Sequence, residues 1–188
     1  MPGILRVDQA NVDYIYAKTT GGKTYIPGHV IQVQQTVKTD TWTGSTTSGT
    51  GTYATVTGMS VSITPTSTSS KIWVMANLLV GYYAYSMRGV IRRNGTHLMV
   101  GDAASSRPRC SFWFSSYVGN TTYEGYHMHQ VAFNYFDSPS STSALSYDVG
   151  LSSYAGNVVT LNRNYNWQDN ADYDGAVASS ITVMEIAQ

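Results

Sequence analysis

Apolar and polar residues alternate with a period of two along most of the chain, the spacing of strands that bury one face. Ile31, Val33 and Val37 alternate with Gln32, Gln34 and Thr36, and Met59, Val61 and Ile63 alternate with Ser60, Ser62 and Thr64. The pattern returns at Val131, Phe133 and Tyr135, then at Leu145, Tyr147, Val149 and Leu151, at Val159 and Leu161, and at Ile181 and Val183. Asn94-Gly95, between Val90 to Arg93 and His97 to Val100, predicts a two-residue hairpin of type I′, which needs positive φ twice. No segment of useful length has helical periodicity. About ten short antiparallel strands are expected, in an all-β sandwich, jelly roll or barrel.

One segment departs from simple alternation. Ile72, Val74, Ala76, Leu78 and Val80 share one face of a strand, while Trp73, Met75 and Leu79 make the other face apolar as well. A two-sheet sandwich covers only one face of each sheet, so Trp73, Met75 and Leu79 are expected at a contact with another subunit or a flanking segment. Residues 1 to 28 lack such patterning and end at Pro27-Gly28. They predict an N-terminal arm, carrying apolar Ile4, Leu5, Val7, Tyr14 and Ile15, before a head domain over 29 to 188. The Thr/Ser/Gly stretch from Thr39 to Thr52 predicts a surface loop or flexible edge.

Composition supports the strands and narrows the partners. The 188 residues include 22 Ser, 22 Thr, 15 Tyr and 17 Gly, suited to sheets and their turns, with only 12% charged side chains. Eleven Lys and Arg balance eleven Asp and Glu, so no global field favours nucleic acid or anionic lipid. The single Cys110 cannot form an intrachain disulfide. The first residues carry no signal-peptide pattern, and the apolar region from Ile72 to Tyr85 contains Asn77 and Gly81 and falls short of a membrane span. These features predict a soluble protein made in a cytoplasm, with no membrane insertion.

Candidate chemistry is sparse. Gly49-Thr50-Gly51-Thr52-Tyr53-Ala54 matches G-x-G-x-x-A, but neither a strand before it nor a helix after it is predicted. Asn170, Asp172, Asp174 and Gly175 copy the opening of a calcium loop, yet Ile181 stands where a bidentate Glu is needed. His127 and His129 would share a strand face without a third ligand at local spacing. No G-x-S-x-G elbow occurs, and Glu appears only at Glu124 and Glu185, so neither a catalytic residue nor a cofactor or metal site is expected. The richest candidate for ligand binding is the stretch holding Tyr165, Trp167, Asp169, Asp172, Tyr173 and Asp174. There aromatic faces could cover a sugar ring and carboxylates could hold its hydroxyls.

The segment from Met59 to Gly81 resembles the G-L-S-x-S-I-T-P-x-S-x-S-S-K-I-L-V stretch of tail-fibre and other virion proteins of tailed bacteriophages. Ile91 to Thr96 is similar to that family's R-x-G-T turn, and Asp137-Ser138-Pro139 with Thr142 to Tyr147 to its D-x-P-x-x-T-x-x-x-x-Y segment. Leu161-Asn162-Arg163 and Ser179 to Ile186 resemble its last two strands. The resemblance, which runs from about His29 to the C-terminus, implies a trimeric jelly roll similar to tumour-necrosis-factor and complement heads, mounted on a virion through the N-terminal arm. It implies a short fibre or appendage whose heads could bind a host-surface glycan or protein. A capsid decoration protein and a free carbohydrate-binding lectin are the alternatives.

Overall fold

A computed structural model describes residues 26–46, 51–83, 85–116 and 125–188. The predicted arm, apart from its last residues, and the aromatic residues Tyr117 and Tyr123 lie outside them. Eleven strands follow in order: β1 (Val30–Lys38), β2 (Trp42–Ser45), β3 (Ala54–Ile63), β4 (Lys71–Tyr82), β5 (Tyr85–Arg93), β6 (Thr96–Leu98), β7 (Phe112–Ser116), β8 (Met128–Asp137), β9 (Leu145–Ser153), β10 (Val158–Leu161) and β11 (Ser179–Ile186). They form two antiparallel sheets packed face to face, as the alternation predicts. In the first sheet β4 is central, with β8 along one edge and both β11 and β10 along the other; β1 lies outside β11 and β2 outside β10. The second runs β3-β9-β5, with β6 and β7 sharing the far edge of β5.

The core lies between the sheets. Ile72, Val74, Leu78 and Val80 of β4 meet Met59 and Val61 of β3, Met87 and Ile91 of β5, and Tyr147, Val149 and Leu151 of β9. Full burial of such a side chain is worth roughly 1.5 to 3 kcal/mol, which makes this contact the main source of stability. The Asn94-Gly95 turn has φ of 46° and 83°, the two positive values that type I′ requires.

One expectation fails. Ile31, Val33 and Val37 do not turn to the core: Val33 is 49% and Val37 55% exposed. The polar row of β1 turns inward instead, because Gln32 donates to the Glu185 carboxylate and Thr36 to the Ser60 carbonyl, both at the sandwich edge. Alternation alone gives two faces and cannot say which one is inside. Within Thr39 to Thr52, expected as a surface loop or flexible edge, Trp42 to Ser45 form the outermost strand on one side of the first sheet and pair with β10. The Trp42 ring folds over Gly44, in space that a Cβ would occupy, and so supplies the apolar cover that the sequence pattern lacks.

Three buried polar clusters join the strands. At the first, Arg93 Nη1 donates to both Asp137 oxygens at 2.6 and 2.7 Å, and Tyr147 Oη donates to Asp137 Oδ2 at 2.7 Å. This ties β8 in one sheet to β5 and β9 in the other; burial, then the bond to Asp137, raises the Tyr147 phenol well above its ordinary value. At the second, Glu185 is fully buried and accepts from Gln32 Nε2, Thr66 N, Thr66 Oγ1 and Ser70 Oγ. Burial pushes the Glu185 carboxyl upward, but the four donors outweigh it and hold it below the usual range. At the third, Asn162 donates to the Lys38 and Asp40 carbonyls and accepts from Ser179 Oγ.

The strands give the sandwich two ends of different character. Ile26 to His29, the β3–β4 turn, the β5–β6 hairpin and the C-terminus share one end, where Gly28 N donates to the Ala187 carbonyl and Ala187 N to the His29 carbonyl. The segment from Asn162 to Ala178, between β10 and β11, lies at the opposite end, beside the end of β4 and the start of β8.

Candidate functional site

The Asn162–Ala178 loop is built outward from the third polar cluster. Asn162, at φ 61°, turns the chain out of β10, and its N–H donates to the Leu79 carbonyl. Ser179 accepts from Leu79 N while donating to Asn162, so the two loop ends are held on the same point of β4. Gly81 lets the loop lie down, since a Cβ there would meet the Arg163 carbonyl oxygen at 2.6 Å and Thr160 Oγ1 at 2.7 Å.

Polar side chains set the shape of the loop. Asn164 is buried; its Oδ1 accepts from Trp167 N at 2.7 Å and its Nδ2 donates to Asp174 Oδ1 at 2.6 Å. Asp174 Oδ2 accepts from Gln168 N and Asn170 N. Desolvation raises the Asp174 carboxyl, but the bonds from Gln168, Asn170 and Asn164 together hold it below its ordinary value. Asp174 is therefore the loop's internal acceptor. The Asn170 carbonyl takes Tyr173 N and Asp174 N, and Asn170 Oδ1 takes Asp172 N.

The six predicted residues separate by role. Trp167 is 41% and Tyr173 64% exposed, so both offer ring faces to solvent. The Arg163 guanidinium lies 5.7 Å from the Trp167 ring centroid and is fixed by Thr43 Oγ1 and the Asn164 carbonyl. Tyr165 is half-buried and tilts against Tyr83 at 4.8 Å, a supporting position. Asp169 and Asp174 line a depression of about 310 Å³ beside Trp167, whereas Asp172 stands away from it. Among the described residues no group of three His, Cys, Asp or Glu side chains is placed to hold a metal ion.

A second depression, of about 450 Å³, lies on the other side of the loop between Tyr126, His127, Gln168 and Tyr173. Tyr126 and Tyr173 face each other at 5.9 Å and 49°, and Gln168 Nε2 donates to Tyr126 Oη at 2.8 Å. No protein-family model matches the chain, and no curated protein matches it. Two exposed aromatic planes flanked by amide and carboxylate groups suit reversible stacking and hydrogen bonding to a polyhydroxylated ligand.

Gln168 and Asn164 escaped the sequence reading, and Arg163 entered it only as part of a strand, not as a neighbour of Trp167. The bond from Trp167 N to Asn164 Oδ1 spans three residues, one more than an Asx-turn, and no turn signature in the sequence marks it. The contact of Gln168 with Tyr126 spans 42 positions and left no trace in either segment. His127 and His129 do not act as a pair: His127 borders the second depression, while His129 stacks between Tyr82 and Phe114 at 5.4 and 5.0 Å.

Proposed function

We propose that the chain is a non-enzymatic structural protein of a tailed-phage virion, a trimeric short appendage held through its N-terminal segment and carrying outward sandwich heads that bind the host surface. The observation that carries this reading is an apolar row across the outside of the first sheet. Val33 on β1 lies opposite Met184 on β11, Met184 opposite Trp73 on β4, and Trp73 opposite Phe136 on β8. Val33 and Phe136 are 49% and 55% exposed, and Trp73 stacks on Phe136 at 5.3 Å and 15°. Met75 and Leu79 extend the same half-buried face. A contiguous apolar stripe over four strands marks a protein contact, and copies of the same chain are its simplest occupant.

The two ends of the sandwich support the remainder. The described chain enters at the end opposite Trp167 and Tyr173, so a head tethered through its N-terminal side would hold these rings outward. The exposed rings equally favour a second reading, a free carbohydrate-binding lectin; a capsid decoration protein is the variant in which the outward end binds nothing.

Mass in solution tests the assembly. The expected species is a trimer, and Val33→Glu with Phe136→Glu should yield folded monomer, because a charge without a partner in a dry contact costs about 3 to 5 kcal/mol. A monomeric parent protein, or an unchanged trimer in the double variant, would refute it. Labelling particles with an antibody against the head tests the virion assignment.

A further inference from the structure

A separate cleft lies on the outer face of the second sheet. Arg88 of β5 stands directly across from Trp113 of β7, so the two side chains share the outward face as neighbours. The segment after β6 folds back over this face: Ser111 Oγ donates to the Leu98 carbonyl and accepts from Ile91 N, and Tyr53 Oη donates to the Arg109 carbonyl. That cover buries Val90 completely, although Val90 alternates with the core residue Ile91. Between cover and sheet remains a cleft of about 520 Å³ lined by Arg88, Arg107, Pro108, Cys110 and Trp113, a size usual for small-ligand sites.

Its charge is uncompensated. The ion pairs among the described residues join Lys38 to Asp40, Arg92 to Asp148 and Arg93 to Asp137, leaving Arg88 and Arg107 without a carboxylate. Asp148, on the same outer face, is committed to Arg92 Nε at 2.6 Å. Cys110 and Tyr53 supply no anion at neutral pH, since burial raises the thiol and pushes the phenol up to about 12. Two free guanidinium forks therefore sit beside an indole that is 58% exposed, in a chain whose net charge is zero.

We propose that this cleft binds a carboxylated sugar, with Arg88 and Arg107 holding the carboxylate and Trp113 covering the pyranose face. Guanidinium forks match a carboxylate bidentately, and an exposed indole offers an apolar plane to the C–H face of a sugar ring. An acidic peptide would satisfy the arginines but leave Trp113 without a ring to cover. A nucleic-acid backbone needs a basic track longer than two residues. The site is distinct from the Trp167 loop and does not depend on the assembly proposed above.

Calorimetric titration of the full chain with three acidic trisaccharides (galacturonate, mannuronate and sialic acid) tests it. At least one should bind, its methyl ester should bind at least tenfold more weakly, and raising salt from about 50 to 300 mM should weaken the acid form. Arg107→Gln should lose about tenfold and Trp113→Ala about three- to tenfold, with melting unchanged because both side chains are exposed. The proposal is overturned if none of the three acids binds at millimolar concentration, if ester and acid bind alike, or if Arg107→Gln and Trp113→Ala leave binding unchanged. Oligothymidylate binding the same cleft as tightly would replace the sugar by a nucleic acid.

Discussion

Single side chains here show how a buried polar group is made tolerable. Tyr147 is fully buried and gives its proton donor to Asp137, which Arg93 already neutralises. Tyr147→Phe should cost about 1.5 to 3 kcal/mol, the range for a hydrogen bond to a charged group, read as a lower denaturant midpoint with an unchanged slope. A loss under about 0.5 kcal/mol would show that the Arg93–Asp137 pair holds the sheets together unaided. His129 is the opposite case, for its Nε2 is buried without a partner. Burial, then the neighbouring His127, lowers its pKa below the ordinary 6.5. The unfolded chain therefore takes up a proton that the folded chain refuses: stability is full above about pH 6.5 and falls as pH drops from there toward the folded value. His97, lowered by burial and by Arg92 and Arg109, adds a slope of the same sign. His129→Phe, which keeps a flat ring between Tyr82 and Phe114, should flatten the decline between pH 7 and pH 5 without abolishing it. Melting temperatures across that window would show this, and an unaltered slope would count against the assignment.

At the scale of elements, the Asn162–Ala178 loop owes its position to β4 more than to itself. Leu79 holds both loop ends, its carbonyl accepting from Asn162 N and its N–H donating to the Ser179 hydroxyl, and Gly81 provides the clearance for the strand exit. Gly81→Ala should push the Arg163 carbonyl outward, at a cost of about 1 to 3 kcal/mol. With fluorotryptophan incorporated, the Trp167 resonance should shift while that of Trp73, near the other end of β4, stays in place. Equal movement of both would mean that the whole sheet, rather than the loop, had given way. The β1 strand illustrates a different dependence. Its valines face outward because Glu185 on β11 draws Gln32 inward, so a buried carboxylate on one strand fixes the facing of its neighbour.

For the molecule as a whole, the separation of the two ends turns a sandwich into an object with direction. If the outward end is the host-binding end, purified protein carrying Trp167→Ala and Tyr173→Ala should lose host-cell binding while its mass and melting remain those of the parent. Each lost stacking contact should cost roughly 0.5 to 1.5 kcal/mol. Binding equal to the parent's would move recognition away from this loop. The apolar row from Val33 to Phe136 gives the head a side in the same sense, since it crosses four strands on the outer face of the first sheet.

The sequence by itself determined the all-β class, the alternation along most strands and the Asn94-Gly95 hairpin, because period-two alternation and positive φ are properties of neighbours along the chain. It also marked Trp73, Met75 and Leu79 as a second apolar face, and Trp167 and Tyr173 as rings with nothing nearby to bury them. What it could not contain was the company these residues keep. Arg93, Asp137 and Tyr147 stand in three separate segments, and only the packing of two sheets makes them one cluster. Asp174 reads locally as a metal ligand, but the fold of its loop spends both oxygens on N–H donors. Arg88 and Arg107 are nineteen positions apart, and what joins them to Trp113 is the return of the chain across the outer face of β5. Alternation is a local signal carried by backbone geometry. Facing, charge compensation and cleft formation depend on which strands pair and which sheets stack, and those choices are made only when the whole chain folds.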